Sequence, residues 1–199
     1  MLALKAGDEG AFRVLVDRHR NAIVNLTHRY LGNRADAEDL AQEVFFKVYR
    51  ARARYEPKAK FTTWLYRVAV NACLNEVRNR KNRPTYGAVS LQSTVTGEED
   101  GVGTTLPDPT VEGPPEGAER AELRGRVRAA VDELPERQRL ALLLNKFHGQ
   151  SYEELAATLE MTIPGVKSLL VRARENVRKR IEPYLNAGSG PIREQRGTA

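Results

Sequence analysis

The stretch Ser151-Tyr-Glu-Glu-Leu-Ala-Ala-Thr-Leu-Glu-Met-Thr-Ile-Pro-Gly-Val-Lys-Ser-Leu-Leu-Val-Arg172, continued by Ala-Arg-Glu-Asn-Val-Arg-Lys-Arg-Ile181, decides the fold. Ser151 with Glu154 three residues on makes a capping box, which predicts a short helix from Tyr152 to about Leu159. Thr162 can cap a second helix that continues to about Ile181. Two helices across one tight turn form a helix-turn-helix, which must bury a small residue where the helices approach most closely. Ala156 is that residue, with Leu155, Leu159, Met161, Val166 and Leu169 around it. The solvent side of the second helix then offers Lys167, Ser168, Val171, Arg172, Glu175, Arg178 and Lys179. Arg can pair bidentately with guanine, Lys can bond guanine or phosphate, and Val can pack on a thymine methyl. The end from Arg178 to Arg180 suits phosphates. An ordinary helical hairpin with a solvated basic face is the plainer alternative. Six basic residues against one acid between Gly165 and Ile181 weigh against it.

Outward from this motif the apolar spacing stays helical. Leu123, Val127, Ala130 and Val131 line one helix, and Pro135 suits the first turn of the next, whose inner face is Leu140, Leu143, Leu144 and Phe147 before Gly149 closes it. Upstream, residues 84–118 hold five Pro, six Gly and six acids with no Lys or Arg, the composition of a linker. Residues 1–83 read as three helices. Asp8 caps the first, with Phe12, Leu15, Val16, His19, Ile23 and Leu26 on one stripe and Gly32-Asn33 at its end. The second opens at Asp36, buries Ala37, Leu40, Ala41, Val44 and Val48, and leaves Asp39, Gln42, Glu43, Phe46 and Lys47 outside. Pro57 precedes the third, roughly Phe61 to Asn82, with Leu65, Val68, Ala69, Ala72 and Val77 inside. The expected architecture is all-α: two small helical domains joined by a flexible linker, the second containing the helix-turn-helix.

A length of 199 residues allows one large domain or two small ones. Residues 1–83, 84–118 and 119–199 carry nets of +8, −6 and +4, so two basic modules flank an acidic tether within a total of +6. That balance favours a polyanionic partner. No apolar run approaches the ~18 to 20 residues of a membrane span, and the first ten residues lack a secretory core, so a cytoplasmic protein without membrane insertion is expected. Cys73 is the single cysteine and the histidines number three, which removes disulfides and Cys-rich zinc sites. No cofactor is expected.

Phe61, Trp64 and Tyr66 stand close to Lys58 and Lys60, and Arg67, Asn71, Asn75 and Arg78 recur on one polar stripe. Rings beside cations suit unstacked bases, since stacking contributes ~1 to 3 kcal/mol per base while cations follow the backbone. Aromatics at a helix start also serve as core, and a basic helix end is often only solvated.

Taken together, these strings resemble the extracytoplasmic-function group of sigma-70-type sigma factors. Asp36-Ala-Glu-Asp-Leu-Ala-Gln-Glu-Val-Phe-Phe-Lys-Val-Tyr49 is similar to the helix with which such proteins grip the polymerase clamp, and Phe61-Thr-Thr-Trp-Leu-Tyr-Arg-Val-Ala-Val-Asn71 to their minus-10 segment. Leu134-Pro-Glu-Arg-Gln-Arg139, Ser151-Tyr-Glu-Glu-Leu-Ala156 and Val166-Lys-Ser168 resemble the domain that binds the minus-35 element. The resemblance implies core polymerase as partner, through the clamp of its beta-prime subunit and its beta flap, together with promoter DNA and an anti-sigma factor. It assigns Asp39, Gln42 and Glu43 to polymerase, Phe61, Trp64, Arg67, Asn71 and Arg78 to the minus-10 strand, and Lys167, Ser168, Val171 and Arg172 to the minus-35 duplex. By the same resemblance, residues 1–83 form region 2 and 119–185 form region 4; residues 186–199, Gly-rich and polar, are expected to fray. The chain departs from the pattern at Glu160, in place of a turn glycine, at Pro164-Gly165, in place of Gly-Thr, and at Leu169, where a basic residue is common. A stand-alone helix-turn-helix regulator is the alternative. A nucleic-acid-modifying enzyme would need a catalytic site, and the sequence offers no metal-spaced His or Cys set, no Gly-rich phosphate loop and no nucleophile beside a base.

Overall fold

A computed structural model of the chain describes residues 1–82 and 114–188. The elements in order are α1 (Leu2–Lys5), α2 (Gly10–Leu31), α3 (Arg34–Arg50), a short 3-10 turn (Arg52–Arg54), α4 (Phe61–Asn82), α5 (Pro114–Asp132), α6 (Glu136–Phe147), α7 (Tyr152–Leu159) and α8 (Ile163–Gly188). Every element among the described residues is helical, as expected.

Several helix ends differ from the sequence reading, each for a local reason. Residues 2–5 form a turn of helix that no periodicity announced. Asp8 does receive the Ala11 amide at 3.1 Å, although the helix proper starts at Gly10. α2 ends in left-handed Gly32, at φ 78°, where a residue lacking Cβ is unstrained. α3 is capped by Asn33, whose Oδ1 accepts the Asp36 amide at 3.1 Å, so it begins two residues before the expected Asp36. α5 already runs at Pro114, taking the last residues of the expected linker into helix. α8 passes through Pro183 to Gly188 and so includes the start of the expected tail. The remaining linker and tail positions lie outside the described residues.

α2 and α3 double back on each other across Gly32-Asn33. The buried Thr27 hydroxyl sits within 3.0 Å of the Ile23, Val24 and Ala37 carbonyls and ties α2 to the start of α3. All five predicted inner residues of α3 are buried, with Phe45 beside them. In α4 the buried set is Leu65, Ala69, Val70, Ala72 and Cys73. Cys73 is free and fully enclosed, which pushes its thiol up to about 12 and suits packing rather than redox chemistry. In the second half Leu140, Leu144, Leu155, Val166 and Leu170 are at most 1 % exposed. Each contributes ~2 kcal/mol of burial. Phe147 is instead 52 % exposed, with the Arg29 guanidinium 3.9 Å from its ring centroid.

The sequence left open how the halves meet. In the structure, Ile23, Leu26, Tyr30, Leu65 and Val70 of the first half belong to one buried cluster with Leu140, Leu144, Leu155 and Leu159 of the second.

Candidate nucleic-acid interface

α3 turns Asp39, Gln42 and Glu43 to solvent because its apolar positions recur every three or four residues and bury the opposite side. Phe46, on the same outer side, is 59 % exposed. Gln42 and Glu43 stand on the wall of an open groove of about 840 Å³ between α2 and α3, floored by Phe12, Val16, Val24, Phe45 and Tyr49. Asp39 is exposed beyond that lining. Glu43 pairs with Lys47 at 2.7 Å, one helical turn on. The groove itself was not foreseen: it forms between two helices whose apolar stripes are each broader than the partner can cover.

On α4 the expected strand-binding residues separate into two groups. Phe61 and Trp64 are half-buried, with ring centroids 5.9 Å apart, and both lean on Tyr55, at 6.3 and 5.1 Å. His19 of α2 packs on Phe61 with the rings tilted by 56° and their centroids 5.4 Å apart. Trp64, Arg67, Tyr55, Arg54 and Lys58 line a cavity of about 330 Å³, large enough for an apolar or aromatic group with cations at its rim. Tyr55 and Arg54 were missed, because an isolated Tyr in a loop carries no periodic signal. Asn71 and Arg78 lie further along α4 and are exposed. Tyr66, grouped with the ring cluster in the sequence, points away from it and meets His148 Nδ1 at 3.1 Å.

The helix-turn-helix forms at the expected residues. The Glu154 amide donates to Ser151 Oγ and the Ser151 amide to Glu154 Oε2, both at 3.2 Å, completing the capping box. Lys60 and the Ser151 amide hold the Glu154 carboxyl below its usual range. Glu160 occupies the turn with φ 54° and ψ 50°, the left-handed conformation that favours glycine. Pro164 fits the first turn of α8, where no N–H is required of it, and the Gly165 amide reaches Thr162 Oγ1 at 3.3 Å. Lys167, Ser168, Val171 and Arg172 are all exposed on one side of α8, with Val171 at 51 %. Arg180, expected near phosphates, is engaged with Glu133 at 2.7 Å.

A junction joins the halves. Lys60 pairs with Glu154 at 2.9 Å, Arg67 with Glu160 at 3.5 Å and Lys81 with Glu136 at 2.6 Å. The Arg139 guanidinium lies 5.1 Å over the Tyr30 ring, donates to the Arg29 carbonyl at 3.2 Å and pairs with Asp132. His148 is half-buried here, with its Nε2 atom buried. Burial, aided by Arg29, lowers its pKa to about 4.

Comparison with known proteins gives two family matches along the chain. Residues 15–83 match the family described as Sigma-70 region 2, and residues 124–177 match Sigma-70, region 4. Over 182 residues the chain is 35 % identical to the RNA polymerase sigma-H factor of Pseudomonas aeruginosa, covering 92 % of each. It is 34 % identical to the ECF RNA polymerase sigma-E factor of Haemophilus influenzae, covering 92 % of the chain and 93 % of that protein. Two of the solved structures that share its fold are as follows. One is CnrH in complex with the cytosolic domain of CnrY, at TM-score 0.61 and 22 % identity, covering 93 % of this chain and 94 % of that one. The other is the sigma factor RpoE in complex with the anti-sigma factor NepR from Bartonella quintana, at 0.59 and 20 %, covering 86 % and 97 %.

Proposed function

This chain belongs to the sigma-70 family of RNA polymerase sigma factors, in its extracytoplasmic-function group, and from that premise we propose how its surfaces divide the work of initiation. Residues 1–83 dock on core polymerase and hold the opened minus-10 strand, residues 119–185 bind the minus-35 duplex, and residues 84–118 connect them. Asp39, Gln42 and Glu43, with the neighbouring groove, take the polymerase clamp, and the second half takes the beta flap. Phe61, Trp64, Arg67, Asn71 and Arg78 receive the unpaired strand. Drawing a base from the duplex costs a few kcal/mol, which stacking on Trp64 and Phe61 offsets, while Arg67 and Arg78 follow the phosphates. Lys167, Ser168, Val171 and Arg172 read base edges from α8. The protein performs no bond chemistry, works in the cytoplasm beside polymerase and is restrained by an anti-sigma partner, a reading supported by the complexes in which its structural neighbours were solved.

The observation that carries this reading is the succession, in one chain matched over 92 % of its length, of a module with an aromatic-lined cavity and one with an exposed basic recognition helix. A stand-alone helix-turn-helix regulator would have no use for the first module.

The test is transcription in vitro with purified core polymerase on a library of promoter fragments. Addition of the chain should produce initiation at a defined subset, and uniform or absent initiation overturns the reading. Replacing Asp39 and Glu43 together by Lys should abolish co-purification with core enzyme, whereas retention of the double variant removes those residues from the polymerase contact.

A further inference from the structure

Between α3 and α4 the chain runs through residues 51–60, and this loop carries Tyr55 to its place against Phe61 and Trp64 on the wall of the cavity of about 330 Å³. The upstream end of the loop is pinned. Arg52 Nη1 donates to the Tyr49 carbonyl at 3.0 Å, and the same guanidinium lies 3.9 Å over the Tyr49 ring. The downstream end is fixed by the start of α4 at Phe61. The middle has little of its own to hold it: the Tyr55 amide reaches the Arg52 carbonyl only at 3.4 Å, Pro57 has no N–H to give, and the Lys58 amide turns back on the Glu56 carbonyl at 2.9 Å.

Support arrives from far away in sequence. Lys5 Nζ donates to the Tyr55 carbonyl at 3.0 Å, across fifty positions. Lys5 can do so because Leu4 of the same turn, 2 % exposed, seats α1 in the core, and because Gly7, at φ 101°, turns the chain back toward α2. The Asp8 amide closes that reversal on the Ala3 carbonyl at 3.0 Å. An ammonium donor makes a stronger hydrogen bond than a neutral one, and a ring that lines a recognition cavity is placed precisely only when the residues behind it are themselves held. Lys5, Tyr55 and Trp64 all belong to the first half, so this brace is complete within it.

We propose that Lys5 is a positioning residue for minus-10 recognition: by holding the Tyr55 carbonyl it fixes the wall of the cavity that receives an unpaired base, and with it the selectivity for that base. The proposal rests on the cavity being the place where the base is received, and the experiment tells the two ideas apart.

Holoenzyme assembled from core polymerase and the full chain is given a promoter library randomised in the minus-10 and minus-35 segments, and transcripts are counted by sequencing. Lys5→Met keeps the apolar stem and removes the donor. Lys5 is exposed at the end of a four-residue helix, so the variant should melt within a few degrees of wild type. It should cut the preference for the favoured base at one minus-10 position roughly fivefold and leave every minus-35 preference unchanged. Lys5→Arg, which can still donate to a carbonyl, should restore most of that preference. A uniform loss over all positions, or no restoration by Lys5→Arg, overturns the positioning role, the first because it marks a phosphate contact or a general loss of stability. Trp64→Ala checks the cavity itself. If every minus-10 preference survives in Trp64→Ala, the base-binding reading falls; if Trp64→Ala erases a preference that Lys5→Met leaves intact, that reading stands and the role of Lys5 alone is refuted.

Discussion

Glu160 holds a left-handed backbone at φ 54°, ψ 50°, and its carboxylate meets Arg67 across the junction. The conformation costs an L-residue ~1 to 2 kcal/mol, against ~0.2 to 1 kcal/mol for an exposed ion pair. Backbone strain therefore outweighs the pair. Glu160→Gly should raise stability by about 0.5 to 1 kcal/mol in thermal or urea unfolding; a loss instead would give the Arg67 pair the larger weight. From the sequence Glu160 was visible as an unusual turn residue, but not as a partner of Arg67. A contact between residues 93 positions apart leaves no trace in local spacing. Tyr55 is similar: the rings of Phe61 and Trp64 announced a cluster, while the residue at its centre sits in a loop.

Helices were legible wherever a cap and an apolar stripe agreed. α7 met both conditions, with Ser151 and Glu154 at one end and Leu155 and Leu159 inside, and its limits match the sequence reading. The sequence reads α3 as opening at Asp36, whereas the side chain that reaches an amide is that of Asn33, three residues earlier and counted with the end of α2. α5 starts in Pro- and Gly-rich surroundings, where composition argues for linker and only packing against α8 decides otherwise. Phe147 fits the stripe of α6 but lies at its last turn, where it emerges and is covered by Arg29. Among the helices α8 carries the clearest prediction. Arg172→Ala, on the exposed side of a helix rigidly capped at Thr162, should cost ~1 to 3 kcal/mol of binding to a selected minus-35 duplex and relax preference at one base pair. Band-shift titration against single-base variants decides it. An equal loss on every sequence would move Arg172 to the phosphate backbone.

For the molecule as a whole, the sequence foretold two basic helical halves but not their mutual packing, because the intervening acidic stretch has no periodicity to place one against the other. The junction has a pH dependence of definite sign. His148 ordinarily titrates near 6.5, and burial beside Arg29 depresses its pKa to about 4. Its Nδ1 faces the Tyr66 hydroxyl, and its Nε2 is buried without an acceptor for a second proton. The neutral ring is thus the form the closed arrangement accepts. Its contribution is fully present above pH 6.5 and is lost as pH falls toward 4. Between pH 7.5 and 5 the loss should be about 2 kcal/mol, read as falling energy transfer between the halves or falling unfolding stability. His19 and His28 are lowered as well and act with the same sign, so the variant His148→Gln isolates the junction: its stability should vary less with pH than that of wild type. An identical pH profile would clear His148 of the role.

Leu65 and Val70 share a single buried cluster with Leu155 and Leu159, so prising the halves apart wets oil on both sides. Any assembly that seizes them separately must do that work first. Its grip will then be measured with the wedge's effort already subtracted, and a tight complex will register as one of middling affinity. Its arrival will keep time with the breathing of the protein rather than with diffusion.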